Sequence, residues 1–510
     1  MSGRELLLAI AATVAGCTSD RPSDDPRDAS GPPESKRDVE ILDASAPDEG
    51  RTTDGSGADA LEQTDASAES DAGPADGGFA PPAYNVWVKL EPPGAVCANG
   101  SPYKFFVNFS RRSSNVIVYF EGGGACWDYA SCTGTGARTA ANRDGIDDDY
   151  ANKNRRANDT EVGVDLVYPL LNPNPVVSPM ADWNKVFIPY CTGDVYSGNT
   201  TVTYRDPEGV GADLEFHHVG HTNVLAVIQE LSEMFTHIPK LFVGGCSAGG
   251  AGALTNYYFI RNGLDVGSGY LLDDSGPLFP DTSPTSRSGP LHARVRAAWA
   301  VDDAVSTLPR ASELASDLGA LPAVLAAELP NDRIAQTLFR LDYNYSLYSY
   351  ERFYERGPAG GIQLFGDGSG LGPLGLDETI ASHRAAVYSL WWDDVALLRA
   401  QFEALPNLGY FVPFYRTTNH SHCVSIPGFE DVPEDQLLDL IVNHPDTLAW
   451  AGSDLFTGTS TITLKDYVTR MLDDTVPLGR HFEERGEGRY LSCTPLAYDA
   501  ASCAAAVSGE

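Results

Sequence analysis

The stretch Leu241-Phe242-Val243-Gly244-Gly245-Cys246-Ser247-Ala248-Gly249-Gly250 constrains this chain more than any other. Large apolar residues lead into a G-x-S-x-G pentapeptide, and a helix-compatible segment follows it. A serine between glycines at a strand-to-helix turn sits on a strained elbow, because side chains on either side would clash and the hydroxyl must point into the open. The helix beginning there aims N–H groups and a partial positive charge at developing negative charge. Ser247 is the candidate nucleophile; the competing reading is a glycine-rich turn with a bystander serine.

The neighbouring pattern supplies the frame for such an elbow. Residues 115–120 form a continuous apolar run ending in Glu121-Gly122-Gly123-Gly124, which predicts a buried strand, and residues 185–189 predict another. Residues 221–235 space Val224, Leu225, Ile228, Leu231 and Phe235 on one helical face. A second helix is expected at about 250–262 and a further strand at 269–272. Strands alternating with helices predict an α/β fold, with a mostly parallel sheet and helices on both faces. The loop 121–126 leaves a strand upstream of Ser247, like the HGGG-type loops of esterases. The N–H groups of Gly123, Gly124 and Ala248 are therefore the candidate oxyanion donors. A glycine turn that serves only to let Cys126 reach Cys132 is compatible with the same sequence.

Composition divides the chain. Over 510 residues, 70 acidic side chains oppose 35 basic ones, a net charge of −35 that excludes the basic surface a nucleic-acid binder needs. Residues 18–80 hold 17 acidic and five basic side chains with almost no large apolar ones. Such a segment cannot bury enough surface to offset its ordering entropy, so a disordered acidic linker is expected there. Residues 1–17 carry Arg4, a short apolar run and Val14-Ala15-Gly16-Cys17, which resembles a bacterial lipoprotein signal with Cys17 as the lipidated residue. An ordinary secretory signal is the alternative, and either exports the chain, with an outer-membrane or cell-surface location expected for the lipoprotein form. A membrane contact is then expected only through the anchor at Cys17. One catalytic domain is expected over 81–510.

Eight further cysteines in an oxidising compartment suggest disulfides. Short spacings favour Cys126–Cys132 and Cys493–Cys503, although about 105 pairings are formally open.

Four motifs carry a resemblance. Residues 95–102 (Ala-Val-Cys-Ala-Asn-Gly-Ser-Pro), 121–127 (Glu-Gly-Gly-Gly-Ala-Cys-Trp), 188–198 (Ile-Pro-Tyr-Cys-Thr-Gly-Asp-Val-Tyr-Ser-Gly) and 245–250 (Gly-Cys-Ser-Ala-Gly-Gly) resemble, in order, motifs of the pectin acetylesterase family of Notum-like serine carboxylesterases. Residues 276–510 match less clearly. The resemblance implies a metal-independent serine carboxylesterase of the α/β-hydrolase type, with a Cys97–Cys191 bridge and a triad in the order serine, aspartate, histidine. The family's His-Cys pair corresponds to His422-Cys423, which makes His422 the base, with His420 as the fallback. The family's order places the acid at Asp342, with Asp273 or Asp274 as competitors at a strand end.

Two clusters raise a metal reading. His217-His218-Val219-Gly220-His221 lacks a HExxH glutamate and is expected to open a helix, and the acidic loop 142–149 lacks EF-hand spacing. No metal or cofactor is expected. The sequence thus predicts a monomeric, exported esterase acting on an acetylated polysaccharide or another ester. Pectin itself is a polyanion and would be repelled by so acidic a protein at low salt, which leaves neutral acetylated glycans open. A lipid deacylase with the same triad and an inactive, surface-anchored binding protein are the alternatives.

Overall fold

In the computed structural model, the described residues are 79 and 81–483, except 135–138, 158–159, 357–361, 369–380, 414–420, 427–462, 477 and 479–480. The expected signal, Cys17, most of the linker, His420, Cys493 and Cys503 therefore lie outside the described residues.

Nine strands build the central sheet: β1 (Trp87–Leu90), β2 (Phe105–Asn108), β3 (Val116–Phe120), β4 (Asn184–Ile188), β5 (Ile238–Cys246), β6 (Val266–Asp274), β7 (Arg333–Thr337), β8 (Leu408–Val412) and β9 (His481–Glu483). Their spatial order is β1-β2-β4-β3-β5-β6-β7-β8-β9. The β1–β2 and β2–β4 pairs are antiparallel, and every pair from β4 to β9 is parallel. β3, β4 and β8 are buried along their whole length. Because successive side chains of a strand point to opposite faces, burial of every residue means that both faces are covered there. This is the α/β architecture with a mostly parallel sheet that the alternating pattern predicts.

The topology also sets where the chemistry can be. Parallel strands place all their C-terminal ends on one edge, and in open α/β sheets ligands bind there, where the strand order reverses. From β3 the chain turns back toward β2 to form β4, then crosses to β5 and continues outward. Right-handed crossovers put these two directions of travel on opposite faces. Helix α1 (Gly220–Met234) precedes β5, and helix α2 (Ala248–Gly263) joins β5 to β6 and packs on α1.

Two expectations are corrected in detail. His217 and His218 lie in a strand, Leu214–His218, paired with Thr200–Tyr204, and only His221 is in the first turn of α1. On α1, Leu225 is exposed and Val227 takes its place in the core, because the buried stripe runs through Val224, Val227, Ile228 and Leu231. At the far edge of the sheet, β9 pairs outside β8. Among the described residues, no helix is long and apolar enough to cross a membrane.

Candidate active site

β5 ends at Cys246, and α2 begins at Ala248 with Ser247 between them at φ 58° and ψ −123°. That left-handed backbone is costly for a residue with a Cβ and persists only where the surroundings over-determine it. The Ser247 N–H donates to the carbonyl of Asp274 at 2.8 Å, and the Ser247 carbonyl accepts from Ala251 N–H at 3.1 Å. A Cβ on Gly249 would collide with the carbonyl of Phe120, so the last glycine of the pentapeptide is required by the close passage of β3 over the start of α2.

The glycine loop continues from the end of β3. Gly123 has φ 154°, and a Cβ there would overlap the side chain of Ala141. Among the described residues, no acceptor takes the N–H groups of Gly123, Gly124 or Ala248. Free N–H groups at a helix start and a glycine loop are what an oxyanion needs.

Glu121, which the sequence reading left without a role, is wholly buried beneath this loop. Its carboxylate accepts from Tyr150 Oη at 2.8 Å, Asn154 Nδ2 at 2.9 Å, Tyr190 N–H at 3.1 Å and Asn142 Nδ2 at 3.2 Å. The Glu121 carbonyl accepts from Tyr196 Oη at 2.8 Å, which ties the loop to the 188–198 motif. In that motif Asp194 accepts from Thr192 Oγ1 at 2.6 Å and from Gly220 N–H, at the start of α1, at 2.7 Å. Burial pushes the Asp194 carboxyl up to about 6.

On the far side of Ser247, Asp342 follows β7 as the N-cap of helix α3 (Tyr343–Tyr350), where its Oδ1 accepts from Tyr345 N–H at 2.9 Å. Asp342 is fully buried, and its Oδ2 lies 2.9 Å from Nδ1 of His422. The Tyr345 ring stacks beside the His422 ring at a centroid distance of 6.5 Å. A carboxylate on Nδ1 holds that proton in place and leaves Nε2 as the basic nitrogen.

Asp274 does not contact His422 through a hydrogen bond but holds the chain after it. Its carboxylate accepts from Val424 N–H and Ser425 N–H, each at 2.8 Å. Burial raises the pKa of both Asp274 and its neighbour Asp273, with Asp273 pushed up to about 8. Oδ1 of Asp273 accepts from Gly276 N–H at 3.0 Å, while Oδ2 is buried with no partner among the described residues.

Three disulfides are present among the described residues: Cys97–Cys191, Cys126–Cys132 and Cys246–Cys423. The first two are the pairs expected from the resemblance and from spacing. The third was not foreseen, and it joins the residue before Ser247 to the residue after His422. A ring nitrogen of His422 and both sulfurs lie within 4.8 Å of one another. A second such group is Cys126, Cys132 and His218. In each group both sulfurs are spent in a disulfide, so no thiolate is available as a metal ligand. The three imidazoles of 217–221 are taken up separately, His217 by Thr201 Oγ1, His218 by the Thr192 carbonyl and Tyr204 Oη, and His221 by Asn256 Oδ1. Burial pushes His218 down to about 4. In the acidic loop Asp148 pairs with Lys89 and Lys104, and Asp149 pairs with Lys153.

A mostly apolar cavity is lined by residues including Ala251, Leu291, Val295, Leu308, Leu321 and Tyr345. Ala251 is one turn into α2 from Ser247, and Tyr345 is the residue stacked on His422.

Residues 85–313 match the model of the pectinacetylesterase family. Pectin acetylesterase 5 of Arabidopsis thaliana is 29% identical over 203 residues, which cover 38% of this chain and 43% of that protein. Palmitoleoyl-protein carboxylesterase NOTUM of Homo sapiens is 26% identical over 216 residues, 39% of this chain and 38% of its own length. The match therefore spans less than half the length of either relative. A solved structure of the Wnt deacylase Notum from Drosophila aligns with a TM-score of 0.42 at 17% identity, covering 76% of this chain and 92% of that one. The family match includes Ser247 and the glycine loop and ends before Asp342 and His422. Over residues 85–313 this chain is similar to the pectinacetylesterase family.

Proposed function

We propose that this protein is a serine carboxylesterase that removes acetyl or other acyl groups from a polysaccharide through an acyl-Ser247 intermediate. The observation that carries the reading is the buried Asp342–His422 pair, 2.9 Å apart, next to the disulfide whose other end precedes Ser247. His422 takes the Ser247 proton as Oγ attacks the ester carbonyl carbon. The N–H groups of Gly123, Gly124 and Ala248 hold the oxyanion. Collapse expels the alcohol, which takes its proton from His422, and a water activated by His422 then releases the acid and restores Ser247. The names of the two relatives, an acetylesterase and a carboxylesterase, support ester hydrolysis.

The apolar cavity lined by Ala251 and Tyr345 favours a second reading, in which the same residues cleave a longer acyl chain. Hydrolysis of p-nitrophenyl acetate, butyrate and longer esters, beside Ser247→Ala and acetate release from acetylated pectin and xylan, separates the two. A rate maximum at short chains supports the deacetylase, and a maximum at long chains supports the lipid deacylase. A folded protein with no Ser247-dependent turnover on any ester refutes both and leaves a binding protein.

Three disulfides suit a chain exported to an oxidising compartment. Anchoring through a lipid on Cys17 is part of the same proposal, checked by mass spectrometry of the mature N-terminus.

A further inference from the structure

We propose that Asp274 and the Cys246–Cys423 disulfide are positioning residues that fix His422 against Ser247, an inference that rests on the esterase reading above. Neither touches the reacting atoms; both act through the backbone on either side of them.

Four non-glycine residues with left-handed backbone meet at this junction: Ser247 at φ 58°, Ser275 at 57°, Ser421 at 52° and Cys423 at 61°. Two of them flank His422 directly, so its backbone is held between two conformations that a free chain would leave. What holds them is visible. Cys423 N–H donates to Ser275 Oγ at 3.1 Å. Val424 N–H donates to Asp274 Oδ1 at 2.8 Å, and Ser425 N–H and Oγ donate to Asp274 Oδ2 at 2.8 and 2.5 Å. Through its own carbonyl, Asp274 also accepts from Ser247 N–H at 2.8 Å. One residue at the end of β6 therefore grips the nucleophile's backbone with its main chain and the base's segment with its side chain. The disulfide makes the second connection, with Cα atoms 5.6 Å apart across 177 residues of sequence. Cys246 and Cys423 are 3% and 2% exposed, so the strut is as buried as the groups it spaces.

The test uses the purified full chain with Cys246→Ser/Cys423→Ser and Asp274→Asn, the second placing an amide N–H where the structure needs an acceptor. kcat and KM on p-nitrophenyl acetate, the rate of Ser247 labelling by a fluorophosphonate, and Tm are read together, well below each variant's Tm. A displacement near 1 Å of a catalytic group costs about 10²-fold, so kcat and labelling should fall by about that factor with KM changed less than about twofold. A lower Tm with kcat and labelling unchanged would mean that the clamp only stabilises the fold, and would overturn the proposal. If neither variant folds, phosphine reduction of the folded wild type, with Cys246 and Cys423 thiols mapped by peptide mass, should remove turnover reversibly; turnover that survives their reduction overturns the proposal. Ser247→Ala in the same series keeps the two readings apart: Ser247-dependent turnover that ignores the clamp refutes this inference alone, whereas its absence in the wild type refutes both.

Discussion

Oδ2 of Asp342 lies 2.9 Å from Nδ1 of His422, 80 residues away in sequence, inside a site that excludes water from the carboxylate. The same side chain caps helix α3 through Tyr345 N–H.

Asp342→Asn keeps the cap's shape but can donate to the imidazole and so favour the wrong tautomer. Loss of the carboxylate in a triad of this kind lowers kcat by about 10⁴, and a drop of at least about 10³ at unchanged helix content is expected here. Steady-state kinetics with circular dichroism checks it; near wild-type kcat would remove Asp342 from the mechanism.

Gly123→Ala puts a methyl against Ala141 and strains a backbone at φ 154°. The loop must shift, and losing one oxyanion donor typically costs about 10²–10³ in kcat. KM for a small ester should change much less, which a simple packing defect in the loop would not guarantee.

Asp273 titrates at about 8 in the fold, raised first by desolvation and also by Asp274, against 3.8 in the unfolded chain. The folded state therefore holds the extra proton between these values, so this residue's contribution to stability is present below the lower value and is lost as pH rises toward the upper one. Asp273→Asn should flatten the fall in Tm between pH 5 and pH 8.5. An unaltered Tm profile would show that the carboxyl is ionised, or solvated, in the fold.

Cys97→Ser/Cys191→Ser opens a loop of 94 residues. Removing a disulfide of that kind costs about 2–5 kcal/mol, visible as a lower midpoint in non-reducing urea titrations. No change in midpoint would mean that the bridge adds nothing to the native state.

Much of this architecture was legible because buried parallel strands read as unbroken apolar runs, and because a serine turn between strand and helix needs flanking glycines. Residues 115–120 and 185–189 became β3 and β4 within a residue. The hairpin 200–218 is hard to see in sequence: Thr200–Tyr204 is rich in β-formers, but three imidazoles at 217–221 ahead of an amphipathic run resemble a polar helix entry. Cys246–Cys423 had no local signal: a bridge across 177 residues is one choice among very many. The grip of Asp274 depends on where its carboxylate points, which composition and spacing do not encode. Glu121 offered a hint, as the lone charge between an apolar strand and a glycine run. Asp342 and His422 rested on resemblance alone, since helix capping and loop position give many buried acids and imidazoles the same appearance in sequence.

The contact between the Phe120 carbonyl and Gly249 means that the end of β3 and the start of α2 share one outline, like two halves of a mould. Transplanting residues 241–263 onto another scaffold without 116–124 would leave the nucleophile without the surface that shapes its turn. Variation in the cavity wall is therefore easiest to tolerate between Leu291 and Leu321, where the lining can change while that outline stays intact.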